Sequence, residues 1–230
     1  MTQVIKLISQ RIQSNHALVR LLSVERLSIM LMWLFTLSAL IGMALGQVEW
    51  FIPKTPFNLL LCFLLLLINV PFGTRRGSLA FLISFIVGMG IEIAGVATGD
   101  IFGTYVYGSN LGFKAWGVPL MIGIYWAVLV VVTSQMARQV FDNIVVASIT
   151  GASLMVGLDF LMEQMASQFD FWHFEHAIAP LQNYIAWFGV ALVLQVISFI
   201  ATPKSDGIFS TQLYLNQVVF FAFSYVLLRL

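Results

Sequence analysis

Three carboxylates stand where a carboxylate is expensive. Glu92 lies inside the apolar run that starts at Gly88, and Asp159 and Glu163 lie four apart in a second apolar run. A charge at the centre of a spanning helix costs on the order of 2.5–3.5 kcal/mol on insertion scales. Residues four apart share one helix face, so Asp159 and Glu163 form a pair. A carboxyl held away from water can stay protonated near neutrality and then donate a proton in a water-poor pocket. The ordinary reading is snorkelling or helix capping, and it weighs most on Glu163, close to the end of its run. After Glu92 comes a glycine-punctuated loop with Asp100, Tyr105 and Tyr107, and then Trp126. Asp100 joins the acid–base candidates. Tyr105, Tyr107, Trp126, Trp172, Asn183 and Trp187 are the candidates for binding substrate. Their aromatic faces could steady a transient cation or sandwich a long apolar ligand; the plainer alternative is an interfacial aromatic belt.

Other chemistries lack their parts. His173 and His176 have H-x-x-H spacing near Asp170 and Glu175, but the remaining histidine is the remote His16, so no metal is expected. No glycine–lysine–serine/threonine phosphate loop and no G-x-S-x-G elbow occurs. The single cysteine, Cys62, excludes an internal disulfide. A retinal Schiff base needs a lysine within a helix, and no apolar run has one near its middle. The glycines read as close-packing or turn positions, with G-x-x-x-G spacing at Gly42–Gly46 and Gly99–Gly103.

The elements that must carry these residues follow from composition. The 230 residues are 60% hydrophobic and 9% charged, with mean hydropathy +0.95. A soluble domain carries about 25% charged residues, so the chain is an integral membrane protein, and its net charge of +1 gives no sign of nucleic-acid binding. The expected fold is all-α: a polytopic membrane helix bundle of about seven transmembrane helices, with an N-terminal interfacial amphipathic helix. Residues 1–26 form that interfacial segment, because Val4, Ile5, Ile8 and Ile12 recur at helical spacing beside Lys6, Arg11 and Arg20. Residues 27–230 form a single transmembrane domain. A span needs about 20 mostly apolar residues, which places spans at 27–45, 57–72, 79–98, 116–137, 143–165, 183–201 and 211–229. The second is short and stops at Asn69-Val70-Pro71.

Lysine and arginine positions set the orientation. With the N-terminus inside, the inner segments hold Lys6, Arg11, Arg20, Arg26, Arg75, Arg76, Arg138 and Lys204, and the outer ones only Lys54, Lys114 and Arg229. The expectation is a cytoplasmic N-terminus and an external C-terminus in the cell (inner) membrane. The candidate residues then converge on the outer half of the bundle.

The run E92-IAG-VATGDIFGTYVYGSNLG-FKAW-GVPL, followed by Trp126, resembles the signature of the membrane carotenoid hydratases. These are the γ-carotene and bisanhydrobacterioruberin hydratases of the carotenoid biosynthesis proteins. Leu158-Asp159 and the block from Trp172 through Ala179-Pro180-Leu181-Gln182-Asn183-Tyr184-Ile185-Ala186-Trp187-Phe188 are similar to two later motifs of that family. The resemblance covers about residues 80–200. It departs at Ile178-Ala179, where the family has glycine-valine, and at Phe160, where it has proline.

The resemblance implies acid-catalysed addition of water to the terminal double bond of an acyclic carotenoid end group, giving a tertiary alcohol, with no cofactor. Its substrate would be a lipophilic carotenoid such as γ-carotene or lycopene entering from the bilayer, with membrane lipids and other carotenoid-pathway enzymes as further partners. Hydrating such an alkene needs a proton donor, a group to take water's proton and a surface for the tertiary cation. Glu92 and Asp159 fit as the acid–base pair, with Asn183 and Tyr105 positioning water. Two rivals stand beside this reading. One is a non-catalytic carotenoid-binding or assembly protein. The other is a proton-coupled transporter using the same carboxylates, although the halves show no convincing repeat.

Overall fold

The computed structural model describes residues 23–70 and 74–228. The interfacial helix expected over 1–26 lies, up to residue 22, outside the described residues, as does Arg229. Within them run helix α1 (Val24–Ala44), a single turn α2 (Val48–Phe51), α3 (Thr55–Asn69) and α4 (Arg75–Thr98). Then come β1 (Tyr105–Tyr107), β2 (Lys114–Ala115), β3 (Val118–Pro119), α5 (Leu120–Val140) and α6 (Ile144–Ala166). Strand β4 (Trp172–Phe174), α7 (Leu181–Ala201) and α8 (Ile208–Leu227) follow.

The fold is an all-α membrane bundle. Among the described residues six helical stretches are long and apolar enough to cross a membrane: Val24–Ala44, Val48–Asn69, Arg75–Thr98, Leu120–Val140, Ile144–Ala166 and Leu181–Ala201. The short second span of the sequence reading is lengthened to 22 residues. Its first turns are α2 and a 3-10 turn, Ile52–Lys54, followed by α3. Pro53 and Pro56 sit at the starts of their helices, where the missing N–H has no partner to lose. Val70, preceding Pro71, is extended (φ −105°, ψ 132°), and the helix stops there.

The seventh expected span, α8, is 20 residues long but more polar, and it is not among those six. Its polar residues turn inward. The Trp33 indole donates to Gln212 at 2.9 Å and the Thr36 hydroxyl to Asn216 at 2.9 Å, tying α8 to α1. Hydrogen bonds of this kind join helices where lipid offers none.

Helix α5 is the axis, packed against α3, α4, α6, α7 and α8. Within its most apolar window 78% of residues are buried, against 22–39% in the other spans. It begins at Leu120 rather than near 116, because β2 and β3 pair antiparallel just before it. The turn between them places Trp116 (φ 49°) and Gly117 (φ 83°) in the left-handed region that a tight two-residue hairpin requires. A second pair, β1 with β4, joins the α4–α5 loop to the α6–α7 loop in the register Tyr105↔Phe174, Val106↔His173, Tyr107↔Trp172. Both pairs lie at one end of the bundle, hereafter the strand-capped end. Neither G-x-x-x-G spacing makes a helix–helix seam. Gly99 is the left-handed cap of α4, Gly103 and Gly46 also take positive φ, and Gly42 faces the Phe51 ring.

Candidate active site

Helix α4 presents Glu92 on the face that also carries Gly88 and Gly95. A methyl group at Gly88 would stand 2.5 Å from Cβ and Cγ of Trp126, and one at Gly95 would stand 2.6 Å from the Phe102 ring. The two glycines therefore let α5 and the following loop close over the carboxyl. Glu92 is 2% exposed and accepts from three donors. The Tyr105 hydroxyl (2.6 Å) and the Tyr107 hydroxyl (2.7 Å) both reach Oε2, and the Trp126 indole N–H reaches Oε1 at 3.0 Å.

Strand geometry explains why two tyrosines share one oxygen. Alternate residues of a strand face the same way; Tyr105 and Tyr107 turn inward while Val106 between them is exposed. The Lys114 ammonium donates to the Tyr107 carbonyl at 2.6 Å and braces the strand from behind. Burial first, and then the neighbouring Glu92, pushes both phenols well above their ordinary value of 10.0. They remain hydroxyl donors at any physiological pH.

The second carboxyl, Asp159 on α6, is 1% exposed and accepts at Oδ2 from the Asn183 amide of α7 at 3.0 Å. Among the described residues Oδ1 has no hydrogen-bond donor. One turn on, Glu163 accepts from the Trp172 indole of β4 at 3.0 Å. Asp159 lies within electrostatic reach of both Glu163 and Glu92.

These groups line one cavity of about 840 Å³, within the size range of small-molecule sites. Glu92, Asp159, Glu163, Tyr105, Tyr107, Trp126, Trp172, Asn183 and Trp187 all border it. The rest of the lining is mostly apolar, including Phe102, Met162, Phe171 and Phe174. Nine of the ten site residues expected from sequence are thereby brought together. Asp100 is not: it is exposed in the turn after α4, where its carbonyl accepts from Gln182 and its carboxyl lies outside the cavity. Trp126 and Trp187 do not flank an open slot either. Their rings stack on each other at 3.8 Å, 19° from parallel, and form one wall.

The carboxylate end is closed, and the exposed lining lies elsewhere. Leu34 and Phe35 of α1, Trp50 of α2 and Phe57 of α3 are 50–73% exposed and form the mouth. Leu34 and Phe35 fall at the middle of α1, so the mouth opens sideways at hydrocarbon depth. These mouth residues, with Asn58 and with Gln217 of α8, were not foreseen. They belong to helices that carry no motif, and only the fold shows which of their faces turns inward.

His173 and His176 stand apart from the cavity. His173 is held between Asp170 and Ser167, at 2.9 Å from each, and His176 is exposed. Asp170 also accepts from the Ser109 hydroxyl (2.5 Å) and backbone N–H (2.8 Å), so this cluster fastens the two loops together. Those bonds, Ser109 first and His173 next, hold the Asp170 carboxyl down at about 2.

A polytopic bundle with a laterally open, apolar cavity ending in buried carboxyls defines a membrane protein built for a lipophilic ligand. The chain belongs to the carotenoid biosynthesis protein family, whose model matches residues 55–229. The match extends beyond the motif-bearing part of the sequence on both sides, taking in α3 and α8. No curated protein and no solved structure matches the chain.

Proposed function

We propose that the protein is a cofactor-independent carotenoid hydratase. It adds water to the terminal carbon–carbon double bond of an acyclic carotenoid end group and leaves a tertiary alcohol. One observation carries the reading: one apolar cavity, closed at its carboxyl end and open at its lateral mouth, holds two buried carboxyls with opposite hydrogen-bond surroundings. Glu92 is met by three donors, the pattern that a carboxylate accepts. Asp159 is met by one, which leaves Oδ1 facing the cavity to carry a proton.

In this mechanism Asp159 Oδ1–H adds its proton to the less substituted alkene carbon, and the electron pair of the double bond forms the new C–H bond. The positive charge develops on the tertiary carbon, facing the Glu92 carboxylate and the aromatic wall. A water oxygen bonds to that carbon and gives up one proton to Asp159, which is restored. The net change is one water per double bond. The polyene enters by the lateral mouth, and its remaining length stays among lipid. With the N-terminus in the cytoplasm, the site lies in the outer half of the membrane.

The test is pigment analysis by liquid chromatography and mass spectrometry in a host that accumulates lycopene or γ-carotene. The expected result is a more polar pigment heavier by one water, lost in Asp159→Asn and Glu92→Gln proteins that still fold. Unchanged pigment with folded wild-type protein across several acyclic-ended carotenoids would sink the hydratase and leave a binding protein.

A further inference from the structure

Tyr125 sits beside Trp126 on α5, is 7% exposed and borders the cavity. Its hydroxyl is buried and has no hydrogen-bond partner among the described residues. A buried hydroxyl left unpaired is costly, and such groups in native interiors are ordinarily satisfied by a neighbouring group or by water. Cys62 of α3, Tyr214 of α8 and Asp159 lie within electrostatic reach of it. Tyr214 is already committed, donating to the Leu154 carbonyl at 2.9 Å, and a thiol is a weak partner. Asp159 is the exception. Its Oδ2 is taken by Asn183, while Oδ1 has no hydrogen-bond donor among the described residues.

The Tyr125 hydroxyl and Asp159 Oδ1 thus border one cavity on neighbouring helices without partners among the described residues; the other such group in the lining is Asn58 Oδ1, on α3. A water between Tyr125 and Asp159 would satisfy both. We propose that the Tyr125 hydroxyl holds the water that the reaction consumes, against Asp159, so that Tyr125 is the water-positioning residue of the site. This rests on the hydratase reading. The water donates one hydrogen to the Tyr125 oxygen and keeps a lone pair for the cation. As the C–O bond forms, its other proton passes to Asp159. Tyr125 neither gains nor loses a proton. Its role begins only after the alkene has been protonated, which separates it from Asp159 in experiment.

The test uses Tyr125→Phe in membranes equilibrated with deuterium oxide and supplied with an acyclic-ended carotenoid. Two products are read together: the alcohol, and deuterium entering recovered carotenoid or its double-bond isomer when the cation loses a proton instead of capturing water. The ratio of alcohol to recovered deuterium does not depend on how much protein folds. The expected result is a fall in that ratio of about 10²-fold, the scale on which misplacing a reactant by about 1 Å lowers a rate, with deuterium entry retained. A ratio equal to wild type, including a parallel fall of both products, overturns the assignment and makes Tyr125 structural. Wild-type protein giving neither alcohol nor deuterium removes the hydratase reading, and this one with it.

Discussion

Replacing Glu92 separates what its charge does from what its shape and hydrogen bonds do. In Glu92→Leu, the Trp126 indole and the Tyr105 and Tyr107 hydroxyls lose their acceptor together. A donor left unmade in a buried site costs about 1–3 kcal/mol, so the ceiling for three is about 3–9 kcal/mol. The two hydroxyls can rotate toward each other, since their rings lie 5.5 Å apart. The indole N–H cannot turn, because Trp126 is stacked on Trp187. Its about 1–3 kcal/mol is the floor. Glu92→Gln behaves differently. Its amide oxygen can keep the indole bond at Oε1, and its NH₂ can donate to two phenols that are able to accept. The expected outcome is a glutamine variant that unfolds near the wild-type temperature in detergent, and a leucine variant less stable by at least about 1 kcal/mol and up to several. Thermal unfolding followed by tryptophan fluorescence and by size-exclusion chromatography reads the difference. If leucine and glutamine unfold together, the three donors do not depend on Glu92 and the argument for its charged form fails.

Other expectations are more local. Gly88→Ala drives a methyl into Trp126 and should destabilise by about 1–3 kcal/mol. Gly90→Ala, two residues on and with open space around it, should be neutral or stabilising; equal effects in thermal unfolding would refute the close-approach account. Asp170 is held at about 2, below its ordinary 3.8, by Ser109 and His173. A depressed carboxyl contributes its stabilisation above the ordinary value and loses it as pH falls through the folded value. Hydrogen exchange at the β1–β4 pair should therefore hold down to about pH 4 and rise toward pH 2, and Asp170→Asn should remove that dependence. Asp100→Asn should leave turnover within twofold or so of wild type, since a surface change away from the site has little to act on; a large loss of alcohol product would return Asp100 to the site.

Much of this site was legible because burying a carboxylate is costly enough to mark a sequence. Glu92 and Asp159 stand out in apolar runs, and the helices that hold them can be counted by length and hydropathy. Glu163 was ambiguous in sequence for a reason the structure preserves: it is half-buried, near the end of α6, and takes its donor from a strand. The strands themselves were hidden. Tyr105-Val106-Tyr107 is too short for an alternation signal, and its partner lies more than sixty residues away. The start of α5 moved for a similar reason, because apolar residues that look like a first helical turn are used by a hairpin. Asp100 was drawn in by its glycine neighbours, but turn chemistry accounts for it. Asn58 and Gln217 show the limit of reading by motif, since an isolated polar residue in a helix does not reveal which neighbour it will face.

The three bonds to Glu92 also have an order in time. Its partners follow it by 13, 15 and 34 residues, and the Asn183 partner of Asp159 follows by 24. A chain threaded into the bilayer from its N-terminus brings Glu92 into hydrocarbon before α5 has entered with the Trp126 indole. That carboxyl must wait until α5 arrives with the indole. Asp159 waits again for α7, and the β1–β4 staple cannot close until Phe174 has emerged. The site is thus completed late in biogenesis, and a chain arrested before α7 would carry both carboxyls with only one of them housed.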